Sequence, residues 1–355
     1  MVETKVETHG LFIDGKWVET DESTNVLNKY SQEAFAKVSV ASHNHVSQSV
    51  AAARRALDNE FSPYQRYEVL MKVASLLKEE RELFARTLTK EVGKTLGECY
   101  GEVDRSIQTL LLSAEEAKRI HGDGVPVEAA PGSENRMAFT IRVPVGVVAA
   151  IAPFNVPLNL VCHKVGPALA AGNSVVLKPA GKTPVVSVLL TKLFEKAGLP
   201  NGRLNLVTGS GGRIGDWLLE NKDVDMFTFT GSKEVGEYIR SKAGVREVAL
   251  ELGNNSATIV HCDADLEKAA SQITARGFNN AGQVCISVQR VYVHEKIFDE
   301  FLSVLKGKVE ALKLGDPFDE STDVGPMIDV KEAERVEQWV QEAVEEGAEI
   351  VAGGK

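Results

Sequence analysis

From residue 145 onward the sequence alternates with a regularity that few architectures permit. Five apolar runs, at 145–153, 174–177, 204–207, 226–230 and 247–250, read as buried strands. Four helical segments separate them, at 158–171, 184–197, 212–221 and 233–243. Gly172-Asn173, Gly198-Leu199-Pro200 and Gly244 stand where those helices end. Strands that are apolar throughout and joined through helices predict a parallel sheet covered on both faces. Ligands bind such sheets beyond the carboxyl ends of the strands. The residues just after each run are therefore the first place to look for chemistry.

The flanking regions follow other rules. Leu11 to Val18 reads as a hairpin turning at Asp14-Gly15. Amphipathic helices are expected over 46–59, 67–91 and 98–120, with apolar residues at three-to-four spacing. His121-Gly122-Asp123-Gly124 breaks that pattern, and 125–144 predicts a two-stranded projection. A second alternation begins near Ser256, with strands at 256–260 and 288–293 and helices at 266–280, 297–312 and 331–346. Residues 350–355 resemble a strand and turn. A chain of 355 residues suits two or three domains of this kind.

Composition removes several functions. A net charge of −10, without a basic run, disfavours nucleic acid. No stretch reaches the roughly 18 uninterrupted apolar residues of a membrane helix. Met1 to Glu7 has no apolar signal core, so a cytoplasmic location is expected. Four scattered cysteines suit a reducing compartment. With no Cys-x-x-Cys or His-Glu-x-x-His spacing, no metal site is expected.

Several residues near the strand ends carry chemical potential beside a bland reading. Cys285 follows the small, polar tract Asn279-Asn280-Ala281-Gly282, and Glu251 closes a strand. A thiol nucleophile and a carboxylate base suffice for covalent chemistry at a carbonyl, yet a lone cysteine is usually core and a lone glutamate surface. Asn155 offers an amide donor for an oxyanion, or merely shapes a turn. Lys178 suits ribose hydroxyls or a phosphate, or is an ordinary solvated lysine. Ser232 caps a helix whose free amides suit pyrophosphate. Gly209 to Gly215 nearly spells a Gly-x-Gly-x-x-Gly dinucleotide fingerprint but has Ile214 where the third glycine belongs, and reads as a strand-to-helix turn.

Taken jointly, Pro153-Phe154-Asn155-Val156-Pro157, Lys178-Pro179-Ala180, Phe229-Thr230-Gly231-Ser232, Leu250-Glu251-Leu252-Gly253 and Gly282-Gln283-Val284-Cys285 resemble, in order and spacing, the NAD(P)-dependent aldehyde dehydrogenase superfamily. The resemblance implies an α/β chain with a Rossmann-like cofactor domain (1–124 and 145–253), a small β oligomerisation element (125–144) and a second α/β catalytic domain (254–355). It implies Cys285 as nucleophile, Glu251 as general base and Asn155 in the oxyanion site. Lys178, Ala180, Gly181, Gly231, Ser232 and Gly253 would contact NAD or NADP, with no metal. The expected reaction oxidises an aldehyde to a carboxylic acid through a cysteine thiohemiacetal and thioester, in a homodimer or homotetramer.

The departures qualify this. Gly181 stands where relatives often carry a glutamate that rejects the 2′-phosphate, and Lys182 follows it, so NADP is expected to be accepted. Asn254 replaces a common glycine. Relatives also continue well past Lys355. Two alternatives stay open: a CoA-acylating relative, which commonly lacks the glutamate, and an inactive cofactor-binding fragment. Short hydroxy-aldehydes such as lactaldehyde fit the resemblance, and Arg290 or Arg142 are candidate anion contacts beside their commoner surface role.

Overall fold

The computed structural model describes residues 6–354; Met1–Lys5 and Lys355 lie outside it, and with them most of the N-terminal segment read as lacking a signal. Its centre is a sheet ordered Glu247–Glu251, Met226–Thr230, Val147–Ile151, Ser174–Lys178, Leu204–Leu206, Leu11–Ile13 and Lys16–Val18. The first five strands run parallel. Two of the interior strands, Val147–Ile151 and Ser174–Lys178, are buried at every position, which is why their centres read as apolar runs. The sequence predicts five strands, and the structure has seven. The N-terminal hairpin, turning at Asp14 (φ 52°) and Gly15 (φ 76°), adds two antiparallel strands to the open edge of Leu204–Leu206. Burial of Leu11, Phe12 and Ile13 there drives the docking.

Helices Pro63–Glu79, Leu96–Ala117, Asn159–Ala170 and Val185–Lys196 pack on one face of the sheet, and His43–Ala56, Gly211–Glu220 and Lys233–Ala243 on the other. Strand order reverses between the parallel neighbours Val147–Ile151 and Met226–Thr230, so a crevice opens at their carboxyl ends.

Three further corrections concern local structure. Ser23–Leu27 and Ala34–Ser39, between hairpin and first helix, form a three-stranded sheet with Glu7–His9 from before the hairpin; it went unread because Ser23–Leu27 has one buried residue and no clean alternation. The helix expected over 67–91 breaks at Glu80 (φ −96°, ψ 18°) into Pro63–Glu79 and Arg81–Val92. Residues 350–354 form no strand, because no neighbouring strand pairs with them.

Gly124–Val125 and Ala138–Phe139 pair antiparallel as a projection, leaving Met137, Phe139, Ile141 and Val143 exposed. The second α/β unit has one parallel pair, Ala257–Val260 with Arg290–Val293, and helices Leu266–Gly277, Phe298–Glu310 and Val330–Glu345. No helix among the described residues is long and apolar enough to cross a membrane.

Two buried glutamates fasten helix ends that the sheet would otherwise leave unsatisfied. Glu102 accepts the N–H groups of Leu158 (2.9 Å) and Asn159 (3.2 Å) and pairs with Lys94. Glu91 accepts those of Val185 and Val186. Burial pushes the Glu91 carboxyl up to about 8, against the opposing pull of those amides and of Lys29.

Candidate active site

The carboxyl ends of the parallel strands open into a cleft of about 850 Å³. Asn155, Lys178, Ala180, Gly181, Gly231, Ser232, Gly253 and Cys285 all line it. Glu251 does not. It ends the edge strand, where its carbonyl accepts Gly231 N–H at 3.1 Å, and its exposed carboxylate acts electrostatically on His163 and Lys164.

Cys285 reaches the cleft because its loop is bent by three consecutive left-handed residues, Asn280 (φ 48°), Ala281 (φ 54°) and Gly282 (φ 77°). Asparagine tolerates that region and glycine prefers it; alanine there costs about 1–2 kcal/mol. Polar ties hold the bend. Glu98 accepts Asn280 N–H at 2.9 Å, and Gln283 Oε1 accepts Ile328 N–H at 3.0 Å. Asn254 donates its amide to the Cys285 carbonyl. That residue was conspicuous in the sequence without an assigned role; its role here is to anchor the thiol-bearing loop. The Cys285 thiol is exposed, and its backbone N–H has no acceptor among the described residues. Cys99 and Cys162 are buried, and burial pushes the Cys99 thiol up to about 12 and that of Cys162 higher still.

Asn155 is placed beside this loop but is not wholly free. Its Nδ2 donates to Gln283 O at 2.8 Å, so one of its two amide protons is already used. Lys178, 4% exposed, makes no ion pair among the described residues, and burial lowers its ammonium to about 8. Ser232 caps helix Lys233–Ala243, its Oγ accepting Val235 N–H at 3.4 Å. The glycine-rich tract is the expected strand-to-helix turn, and Gly211, Gly212 and Gly215 of that tract also face the cleft. Lys182, expected to be available for a phosphate, is instead paired with Asp329. Arg290 donates to Asn255 O and Arg142 pairs with Asp123 at 3.6 Å, so both keep local structural roles.

Sequence reasoning passed over the pair His163-Lys164, although two basic residues in an otherwise apolar helix are a signal. Lys164 is buried beneath strand Met226–Thr230, donating to Thr228 Oγ1 (3.2 Å) and Thr230 Oγ1 (2.8 Å). Burial lowers it to about 8, and Glu251 opposes the shift. His163 lies within 3.4 Å of the Thr109 hydroxyl, which donates to Asn159 Oδ1 at 3.1 Å. Burial and Lys164 lower the His163 pKa, with Glu251 again opposing.

Comparison with known proteins resolves the class. Residues 17–355 match the family described as aldehyde dehydrogenase. The chain belongs to the aldehyde dehydrogenase family. It is 66% identical to 3-sulfolactaldehyde dehydrogenase of Priestia aryabhattai over 352 residues, 99% of this chain and 74% of that protein. An E. coli NADP-dependent enzyme superposes with a TM-score of 0.94 at 36% identity, over 98% of this chain and 73% of that one. Betaine aldehyde dehydrogenase from Staphylococcus aureus, solved with NAD+, superposes at 0.94 and 35% identity, over 98% and 72%. As an aldehyde dehydrogenase the chain oxidises an aldehyde to the acid with a nicotinamide cofactor. The α/β fold inferred from the strand and helix alternation is the aldehyde dehydrogenase fold.

Proposed function

We propose that this aldehyde dehydrogenase oxidises a short, hydroxylated and anionic aldehyde, of the 3-sulfolactaldehyde type, to its carboxylate. The observation that carries the assignment of roles is Cys285: an exposed thiol at an open cleft, with its own backbone N–H unengaged. The cleft suits a dinucleotide on physical grounds. Lys178 is a buried cation without a counter-ion, Ser232 opens a helix N-terminus, and Gly212 and Gly215 leave open space for a ligand backbone. Residues 1–124 with 145–253 would hold the cofactor and 254–355 would supply the thiol.

When bound, the nicotinamide supplies a hydride acceptor. The Cys285 thiolate attacks the aldehyde carbon, and the alkoxide so formed is received by the Cys285 N–H and the second amide proton of Asn155. After oxidation the carbonyl remains as a Cys285 thioester. Glu251, whose exposed side chain lies outside the cleft lining, swings inward to take a proton from water, which attacks the thioester and releases the acid and the thiolate. Lys164, lying under the same strand end, steadies the Glu251 carboxylate. His163, one turn after Asn159, and Thr109 of helix Leu96–Ala117 present hydrogen-bonding groups suited to a hydroxyl or sulfonate oxygen.

NADP is accepted beside NAD, since Gly181 places no carboxylate against a 2′-phosphate. An NAD preference above about a thousandfold, roughly 4 kcal/mol, contradicts this. The exposed projection at 125–144 pairs with another copy in a homodimer or homotetramer. The deciding experiment measures kcat/KM for 3-sulfolactaldehyde, lactaldehyde and propanal with both cofactors, and assays acid against acyl-CoA product with and without coenzyme A. The sulfonated substrate should lead, with free acid as product. Equal values for propanal sink the substrate assignment, and CoA-dependent product sinks hydrolysis.

A further inference from the structure

Away from the cleft, His261, Cys262 and His294 converge on one surface of the second α/β unit. Their ligand atoms lie within 4.8 Å of one another. The convergence is built by the sheet. Val260 and Val293 are register partners at the carboxyl ends of two parallel strands, so the next residue on each strand is a histidine facing its counterpart. His294 N–H donates to Val260 O at 2.9 Å, which locks the register. The two imidazoles sit edge to face with centroids 5.1 Å apart. Cys262 adds a thiol 3.6 Å from His261 Nδ1. His261 is also oriented: its Nδ1 lies 2.9 Å from Asp263 Oδ1, and a proton on that nitrogen leaves Nε2 with a free lone pair.

We propose that these residues form a surface site for a borderline-soft divalent cation of the Zn2+ class, clamping the two strand ends together. Two imidazoles and a thiolate form a donor set that selects such ions over Mg2+ or Ca2+. Bond lengths of about 2.0–2.3 Å at tetrahedral angles imply ligand atoms roughly 3.5 Å apart. The observed separations therefore close with about 1 Å of movement by largely exposed side chains. Water fills the fourth position. Binding releases the Cys262 proton to solvent. It also displaces one native contact, because His294 Nδ1 accepts Lys296 N–H at 3.2 Å. Ligation through Nδ1 takes that lone pair, and ligation through Nε2 moves a proton onto Nδ1. In either case the Lys296 cap is lost. The sequence conceals this site because its two halves lie 33 positions apart and only strand pairing joins them.

The test is a Co2+ titration of the purified protein in a Cys285→Ser background, so that the active-site thiol does not compete. The expected result is one equivalent bound, with a thiolate-to-cobalt charge-transfer band that Zn2+ abolishes. Cys262→Ser removes the band, and His294→Ala weakens binding at least tenfold. Asp263→Ala weakens it about 10- to 100-fold, the range for losing a carboxylate that orients a histidine ligand. The Lys296 amide resonance shifts with the same stoichiometry. The proposal is overturned by absence of the charge-transfer band in the Cys285→Ser protein, by its survival in Cys262→Ser, or by Co2+ affinity unchanged in His294→Ala.

Discussion

The sheet around Val147–Ile151 and the second unit after Gly253 are built on different terms. The former buries every residue of its central strands Val147–Ile151 and Ser174–Lys178, and its buried carboxylates Glu91 and Glu102 are matched to helix amides. In the latter, Arg290–Val293 is half exposed along its length and helix Val330–Glu345 buries no residue. One region derives its geometry from an extensive packed core, the other from a small cluster around Val260, Ala270, Ile273 and Phe301 supplemented by polar ties. The first supplies most of the cleft wall, whereas Cys285 belongs to the second and is delivered to the cleft by Asn254, Gln283 and Glu98. A densely packed floor thus receives a thiol from a lightly held loop, a division that suits the nucleophile role proposed for Cys285.

The largest effect that distinguishes the two should come from Glu102→Ala. It strands buried Lys94 and uncaps helix Asn159–Ala170, and should destabilise the protein by about 3–5 kcal/mol in urea unfolding. A loss under about 1 kcal/mol would mean that packing alone fixes this helix.

Asn155→Ala, at the junction of the two regions, should lower kcat by about 100- to 1,000-fold while leaving cofactor affinity largely intact. Equal turnover in variant and parent removes Asn155 from the oxyanion site.

Next in size is a cofactor effect confined to the packed region. Burial lowers Lys178, so it is a cation below about 8 and neutral above. NADP affinity should therefore fall as pH rises through 8, by about tenfold from pH 7 to pH 9, with NAD affected less. Fluorescence titration reads both, and parallel pH curves for the two cofactors separate Lys178 from the 2′-phosphate.

In the lightly held loop, Ala281→Gly relieves a left-handed alanine and should stabilise by about 1 kcal/mol. The same change should slow turnover by loosening the thiol, measured as a kcat loss without a KM change. The smallest effect is expected for Trp339→Ala on the helix Val330–Glu345. With the indole 59% exposed, stability should change by no more than about 0.5 kcal/mol. A larger loss would show that this helix is held by contacts its exposure does not reveal.

The buried strands and most of the cleft residues could be read from the sequence, and the reason is physical. A strand covered on both faces must be apolar throughout, and a parallel sheet places its ligands after those strands. Lys178, Ser232 and Cys285 each follow or cap an element whose type is local. Ser23–Leu27 and the break at Glu80 were not readable, since weak alternation and a one-residue kink leave little periodic trace.

What the chain determined by itself was the alternation, the glycines that end its helices, and a thiol and carboxylate set after successive elements. Only the tertiary structure decided the rest. It docked the hairpin as sixth and seventh strands, tied Lys182 to Asp329, gave Asn254 its hold on Cys285, set Lys164 near Glu251, and brought His261 beside His294. Each of these is a pairing between distant residues. Local propensity carries no term for a partner that strand register or helix packing has yet to supply.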